Sequence, residues 1–246
     1  MTDELNPTGG SLTSTRWRAL LAEGLGTATL VTVVIGSGAM AERLSPGDVG
    51  LQLFENAVAT GAGLFVLILL FARLSGAQFN PIVTGVDASL APRSVVDVSS
   101  YVAVQVVGAV VGAIVANAMF DLPILGPSST DRLGASLLFS EVVATAGLVT
   151  VIFGLVRSGR ASHVAAAVAA YITAAYFFTS STSFANPAVT IGRALTDSFA
   201  GIAPSSVAPF IGAQVLGGVL GYGLVRVLWP ITTGPAAEFA AMEEQA

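Results

Sequence analysis

The chain has 246 residues, of which 54% are hydrophobic and only 10% are charged, and its formal net charge is −5. An ordinary soluble domain has about a quarter charged residues, so these charges are too few to cover a water-exposed surface. The absence of cysteine excludes disulfides, thiolate metal sites and cysteine nucleophiles, and the single histidine leaves little material for an imidazole metal site or a relay. All ten basic residues are scattered arginines, which argues against a nucleic-acid surface. Composition therefore predicts a membrane protein without a metal or cofactor.

Six apolar segments, taken in chain order, are long enough to cross a bilayer core about 30 Å thick. They are residues 17–41, 51–73, 95–120, 134–156, 164–181 and 207–228. Two shorter segments, 80–88 and 186–196, each begin with Asn-Pro, a favourable N-cap followed by a favourable first helical residue. Irregular backbone at membrane depth survives only where it lines a cavity or is buried in protein, so both segments are predicted to be re-entrant half-helices.

The distribution of arginine predicts the orientation of the spans. If the N-terminus is cytoplasmic, seven of the ten arginines lie on or near that side, and Arg43, Arg132 and Arg193 lie outside. We therefore expect both termini in the cytoplasm. Residues 1–15 are then a disordered tail and residues 231–246 an acidic tail.

Three landmarks recur in the two halves of the chain. The landmarks are a glutamate, an Asn-Pro motif and a glutamine. The copy in the second half follows the copy in the first half by 118, 106 and 109 residues, respectively. Each half holds three spans, so residues 134–230 are predicted to repeat residues 16–120 in inverted orientation, with 121–133 as an extracellular connection. The paired landmarks are Glu23 and Glu141, Asn80 and Asn186, and Gln105 and Gln214.

Inversion brings the two half-helices to the membrane midplane from opposite faces, with their N-termini towards each other. Helix N-termini carry partial positive charge and unpaired N–H groups, and the side-chain amides of Asn80 and Asn186 add further donors. Such a site accepts a small neutral solute with oxygen lone pairs and repels a cation. The repeat therefore predicts a passive pore.

The residues around the two motifs, Ser75 to Pro81 and Phe184 to Ala188, resemble the major intrinsic proteins, which are the aquaporins and aquaglyceroporins. The likeness extends over residues 17–228. It implies an all-α membrane protein with six transmembrane helices and two re-entrant half-helices, arranged as an inverted repeat in a right-handed bundle. It also implies one pore per subunit, a homotetramer, and support of the re-entrant loops by Glu23 and Glu141. Because intramembrane carboxylates are functional candidates by default, a proton relay is the alternative role.

The same resemblance assigns four side chains to a constriction near the outer face. Water-selective members are similar to one another in having an aromatic residue, a histidine and an arginine there. In this chain the side chains are small, and position 189 has no guanidinium. The sequence therefore predicts a wide selectivity filter without arginine, formed by Thr60, Ala174, Ser183 and Val189.

Arg193 and Asp87 each lie seven residues beyond the asparagine of their own motif. One interpretation makes them vestibule charges that act on solutes at the two mouths of the pore. The other interpretation pairs Arg193 with Asp197 or Asp131, and Asp87 with an arginine in a loop. The sequence leaves both open.

The functional prediction is a passive channel of the inner (plasma) membrane for small uncharged solutes. Residues 184–190, together with 193–197, are similar to bacterial members associated with arsenic resistance. That resemblance implies glycerol-like polyols, metalloid hydroxides such as arsenous acid, and methylated arsenicals as permeants, with some permeation of water. The alternatives are a water-selective aquaporin and an inverted-repeat secondary transporter. The scarcity of nucleophiles and metal ligands argues against an enzyme.

Overall fold

The computed structural model describes residues 12–230, with side chains from residue 15 onwards. This part of the chain is α-helical, with one short 3₁₀ turn at Ala161–His163. Residues 12–15 belong to the first helix rather than to a tail, and the other predicted tail residues lie outside the described range. In chain order the helices are α1 (Leu12–Leu44), α2 (Val49–Ser75), α3 (Pro81–Leu90), α4 (Val95–Met119), α5 (Ala135–Arg157), α6 (Val164–Phe178), α7 (Pro187–Arg193) and α8 (Pro204–Leu228).

Six of these helices are long and apolar enough to cross a membrane, namely α1, α2, α4, α5, α6 and α8. Their outward faces carry large exposed apolar side chains, whereas polar side chains such as Glu23 and Gln105 are fully buried. Lipid on the outside and polar groups inside the bundle explain this distribution. The six long apolar helices and this distribution of side chains confirm the predicted all-α membrane fold. Examples of the exposed side chains are Phe65, Leu69, Val107, Phe139 and Leu224.

The two short helices begin at the predicted motifs because each asparagine caps its own helix. The Oδ1 atom of Asn80 accepts a hydrogen bond from the Ile82 amide at 2.9 Å, and that of Asn186 accepts one from the Ala188 amide at 3.0 Å. A proline follows at the first helical position of both. With 10 and 7 residues, α3 and α7 are too short to cross the membrane.

The second half of the bundle repeats the packing of the first half. Helix α1 packs most extensively on α4, and α5 packs in the same way on α8. A Cβ atom added at Gly108 would lie 2.3 Å from the Gly24 carbonyl oxygen, and one added at Gly217 would lie 2.5 Å from the Val142 carbonyl oxygen. The small residues therefore permit close backbone approach at corresponding places in the two halves.

Replacing Gly217 with alanine is expected to destabilise the protein by about 1–3 kcal/mol, because α8 must move away from α5 to make room for the methyl group. The matched control is Gly223→Ala on the same helix, where an added Cβ atom would meet nothing within 4 Å. The midpoint of thermal unfolding in detergent measures the stability of both variants. Equal midpoints for the two variants would show that backbone approach at Gly217 is unimportant.

The chain direction defines two ends of the bundle. We name the end with Arg43 and Arg132 the outer end and the end with Arg93 and Arg157 the inner end, following the orientation predicted from arginine. After α2 the chain returns from the inner end to the bundle centre, and α3 leads back to the inner end. Between α6 and α8 the chain makes the corresponding excursion from the outer end through α7. Both half-helices therefore begin at the centre of the bundle.

Candidate functional site

A cavity of about 100 Å³ lies between the two halves of the bundle. A buried water needs about 10–15 Å³ measured in this way, so the cavity has room for several water molecules. Its lining extends from Gln78, before α3, to Arg193, at the end of α7. Its other polar side chains are Thr60, Asn80, Tyr176, Ser183 and Asn186, and its apolar side chains include Leu30, Val34, Leu64, Ile68, Val168 and Ile172.

The two motif asparagines link the half-helices at the centre of this cavity. The Nδ2 atom of Asn80 donates a hydrogen bond to the Ala185 carbonyl oxygen, and that of Asn186 donates one to the Phe79 carbonyl oxygen, both at 2.8 Å. Each Oδ1 atom is occupied by the cap of its own helix. The orientation of both amides is therefore fixed, with the nitrogen of each directed across the repeat.

The loops before the half-helices have a left-handed backbone at non-glycine residues. The φ angle is 49° at Ala77 and Phe79, 52° at Ser183 and 49° at Ala185. Each such residue costs on the order of 1–3 kcal/mol, so the surrounding structure must hold the loops in place.

Glu23 holds the first loop. Its carboxylate accepts hydrogen bonds from the Ser75 hydroxyl at 2.6 Å, the Gln78 amide at 2.9 Å and the Phe79 amide at 2.7 Å. A fourth hydrogen bond comes from Nε2 of Gln105 at 2.8 Å. These donors fully engage a carboxylate that is 0% exposed.

Glu141 holds the second loop with the same set of contacts. It accepts hydrogen bonds from the Ser181 hydroxyl at 2.7 Å and from the Phe184 and Ala185 amides at 2.9 Å each. Nε2 of Gln214 donates the fourth at 2.7 Å. The geometry of both glutamates is that of loop support, because every contact restrains the backbone that leads into a half-helix or the side chain beside it.

Three of the four side chains assigned to the constriction line the cavity, namely Thr60, Ser183 and Val189. The assignment of Ala174 is wrong, because this residue is exposed on the outside of the bundle. The cavity face of α6 is formed at four-residue steps by Val164, Val168, Ile172 and Tyr176. Position 174 is two residues, or about 200° of helix rotation, away from that face.

Tyr176 occupies the place in the cavity that was expected for Ala174. Its hydroxyl donates a hydrogen bond to Oγ1 of Thr60 at 3.2 Å, and the side chain is only 3% exposed. Tyr176 lies ten residues before Asn186 rather than twelve. The connection from α6 to the second motif is therefore two residues shorter than the assumed spacing.

The sequence predicts a constriction without arginine. Position 189 is a valine, but an arginine elsewhere on α7 lines the cavity. Arg193 is only 2% exposed, and its side chain lines the same cavity as Val189. One helical turn separates the two residues on α7, so both side chains lie on the same face. A guanidinium and a tyrosine ring are thus both present where small side chains were expected.

The proposed acidic partners of Arg193 have other contacts. Asp131 accepts hydrogen bonds from the Leu133 amide and the Ser206 hydroxyl, both at 2.9 Å. Asp197 accepts them from the amide and the hydroxyl of Ser129, at 2.9 and 3.0 Å. These hydrogen bonds hold the pKa of each carboxyl below its usual value.

At the other mouth, Asp87 forms the predicted pair with an arginine in a loop. The carboxylate lies 2.8 Å from a terminal nitrogen of Arg93, and it accepts a hydrogen bond from Nε2 of Gln78 at 2.9 Å. Oε1 of Gln78 in turn accepts a hydrogen bond from the Thr84 hydroxyl at 2.8 Å. The inner mouth therefore has a neutralised carboxylate and a fixed glutamine.

Comparison with known proteins agrees with this geometry. The sequence profile of the family described as "Major intrinsic protein" matches residues 11–183. The chain belongs to this family. The matched range includes residues 134–183 of the second half and ends before the second Asn-Pro motif, whose place is given by the repeat geometry. Major intrinsic proteins are membrane channels, and this one is accordingly a channel rather than an enzyme.

Relatives of this major intrinsic protein include aquaglyceroporin AqpS of Rhizobium meliloti (strain 1021), which is 46% identical over 86% of this chain and 90% of the relative. The lens fiber major intrinsic protein of Mus musculus is 33% identical over 66% of this chain and 63% of the relative. The X-ray structure of the aquaglyceroporin from Plasmodium falciparum superimposes with a TM-score of 0.67 at 20% identity. It covers 88% of this chain and 98% of its own, and it shows the shared fold.

Sequence reasoning missed Tyr176 as a cavity residue of this major intrinsic protein. The signal was available in the four-residue period that links Val168, Ile172 and Tyr176. Phe184 was treated only as part of a motif. Its ring lies beneath the Arg193 guanidinium, a contact between residues nine positions apart that no local pattern indicates.

Proposed function

We propose that the protein is a passive, aquaglyceroporin-type channel for small uncharged solutes that carry several hydroxyl groups. The observation that carries this proposal is the two-sided lining of the cavity. The re-entrant loops and half-helices contribute Gln78, Asn80, Ser183 and Asn186, whereas α1, α2, α5 and α6 contribute mostly apolar side chains. We call the first set of side chains the polar track and the second set the apolar wall. The hydroxyl oxygens of a polyol can form hydrogen bonds with the polar track, and its C–H groups can contact the apolar wall.

The polar track supports the passage of neutral oxygen-bearing molecules. An amide nitrogen has two N–H groups, and Asn80 and Asn186 each use one of them in the link across the repeat. We propose that the second N–H donates to a solute oxygen. The buried hydroxyl of Ser183 has no hydrogen-bond partner within residues 12–230, and a solute hydroxyl can supply one.

The proposed permeants are glycerol-like polyols and metalloid hydroxides such as arsenous acid, with methylated arsenicals as further candidates and some passage of water. The name of the Rhizobium meliloti relative, aquaglyceroporin, supports the polyol class. Arsenous acid is chemically similar to glycerol, because it is uncharged near neutral pH and presents several hydroxyl groups. A water-selective pore is the second candidate, and it is favoured by the bulk of Tyr176 and Arg193 in the cavity.

Parallel permeability measurements on proteoliposomes separate the two candidates. We expect stopped-flow light scattering to show faster water, glycerol and arsenous acid movement than in protein-free vesicles, with sucrose excluded. The several hydrogen-bond sites of the lining, which contains no carboxylate, are the physical reason. Accelerated movement of water alone would overturn the polyol proposal and support the water-selective candidate.

We further propose a homotetramer in the plasma membrane, with one pore per subunit and both termini in the cytoplasm. The arginine distribution supports the orientation. In this arrangement residues 16–120 and 134–230 are the two inverted repeats, and residues 121–133 connect them outside the cell.

A further inference from the structure

Arg193 is one of the largest fully buried side chains in the described part of the protein. It is the last residue of α7, and it lines the outer part of the cavity with Thr60, Tyr176 and Ser183. A guanidinium in so buried a place must be stabilised by the protein or by the molecules that occupy the cavity.

Two contacts hold the Arg193 side chain at the cavity wall. Its Nε atom donates a hydrogen bond to the Ala200 carbonyl oxygen. The guanidinium carbon lies 3.4 Å from the centroid of the Phe184 ring, a cation–π contact. Neither contact is a hydrogen bond from a terminal nitrogen, and the side chain lines the cavity.

The positive charge of Arg193 is not cancelled by an ion pair. Between residues 12 and 230, the ion pairs are Arg16–Asp97 and Arg93–Asp87. Glu141, the buried carboxylate of this half, accepts four hydrogen bonds from the second loop and Gln214. The field of the guanidinium therefore acts on whatever occupies the cavity.

The inverted repeat shows that the charge is specific to one mouth of the cavity. Arg193 and Phe184 follow Asp87 and Gln78 by 106 residues, which is the separation of the two motif asparagines. At the inner mouth the carboxylate contacts Gln78 and is neutralised by Arg93. At the outer mouth the equivalent pair is a guanidinium on an aromatic ring, and the Arg132 guanidinium lies 5.0 Å from the centroid of the same ring, outside the cavity lining. The two mouths are therefore electrostatically unequal.

We propose that Arg193 determines the specificity of the pore at its outer mouth. Its fixed charge excludes cations, and its terminal N–H groups donate hydrogen bonds to the oxygens of passing neutral solutes. The charge acts one helical turn outside position 189, where the small Val189 leaves the guanidinium in contact with the cavity. This inference rests on the proposed function, namely that the cavity conducts.

The test is the cation leak of proteoliposomes that contain Arg193→Gln or Arg193→Lys. Potassium and proton leaks are measured with a potential-sensitive and a pH-sensitive dye, and glycerol movement is measured on the same vesicles. We expect Arg193→Gln to raise the cation leak roughly tenfold or more, because glutamine removes the charge. Arg193→Lys keeps the charge and is expected to keep the exclusion.

Arg43→Gln is the matched control. Arg43 also donates to a backbone carbonyl, that of Phe120, and lies 5.0 Å above its ring at the same end of the bundle, but it is exposed and outside the cavity. This variant is expected to leak no more than the unmodified protein. If Arg193→Gln and Arg43→Gln leak equally little while both conduct glycerol, Arg193 does not determine cation exclusion. If the unmodified protein conducts no glycerol, the proposed function itself fails.

A second pair of variants tests the charge without removing the arginine. Val189→Asp places a carboxylate one turn from Arg193 on the same face of α7, and Val189→Asn is its neutral control. We expect Val189→Asp alone to admit cations, because the two charges cancel. Equal exclusion by both folded variants would overturn the proposal, even if Arg193→Gln cannot be purified.

Discussion

Glu23→Gln is expected to lower the thermal midpoint of the protein in detergent by roughly 10 °C and to abolish most glycerol movement. The carboxylate accepts four hydrogen bonds, two on each oxygen. In glutamine, one oxygen is replaced by an NH₂ group, which faces two donors that then have no acceptor. Each buried donor left in this way costs about 1–3 kcal/mol.

The loss of pore function follows from the backbone that Glu23 restrains. Phe79 has φ at 49° and donates its amide to Glu23, while its carbonyl oxygen accepts from Asn186. If the loop relaxes, the link between the two half-helices is lost. Both the stability and the conduction of the folded fraction should therefore fall together.

Glu42→Gln on the same helix is the control, because Glu42 is exposed and its replacement leaves no buried donor without an acceptor. It should match the unmodified protein in both measurements. A proton relay would give a different pattern, in which Glu23→Gln keeps its thermal midpoint and loses only a pH-dependent flux. That pattern would refute the supporting role of the carboxylate.

The features that were predictable from the sequence are those with local physical causes. Asn80 and Asn186 each cap a helix that starts at the next residue. The start of each half-helix can therefore be predicted directly from the Asn-Pro motif. The order of Glu, Asn-Pro and Gln in each half gave the inverted repeat, because only three spans fit between corresponding landmarks. In both halves the glutamine donates to the glutamate, and each asparagine donates to the loop before the other half-helix.

The features that the sequence reasoning missed depend on helix phase and on long side chains. Counting back from Asn186 assumes the length of the loop, and an error of two residues moves the assignment from Tyr176 to Ala174 on the opposite face of α6. The position of the Arg193 guanidinium depends on the Phe184 ring and the Ala200 carbonyl, which only the folded chain brings together. Neither contact leaves a periodic signal in the sequence.

Val189→Cys is expected to make conduction fully sensitive to mercuric chloride. The unmodified chain has no cysteine, so its glycerol movement should be insensitive to mercury. Valine and cysteine differ little in volume, and Val189 lines the outer part of the cavity at 5% exposure. A mercury atom bound to the new sulfur occupies the space that a solute must cross.

The matched control is Ala174→Cys, whose thiol also reacts but faces away from the cavity. Glycerol movement into proteoliposomes, recorded before and after mercuric chloride and again after excess thiol, tests most directly whether the space between the half-helices is the conduction path. A reversible fall to the level of protein-free vesicles for Val189→Cys, with no change for Ala174→Cys, is the result that this structure predicts. Unchanged movement in Val189→Cys after verified labelling, or equal block of both variants, would contradict it.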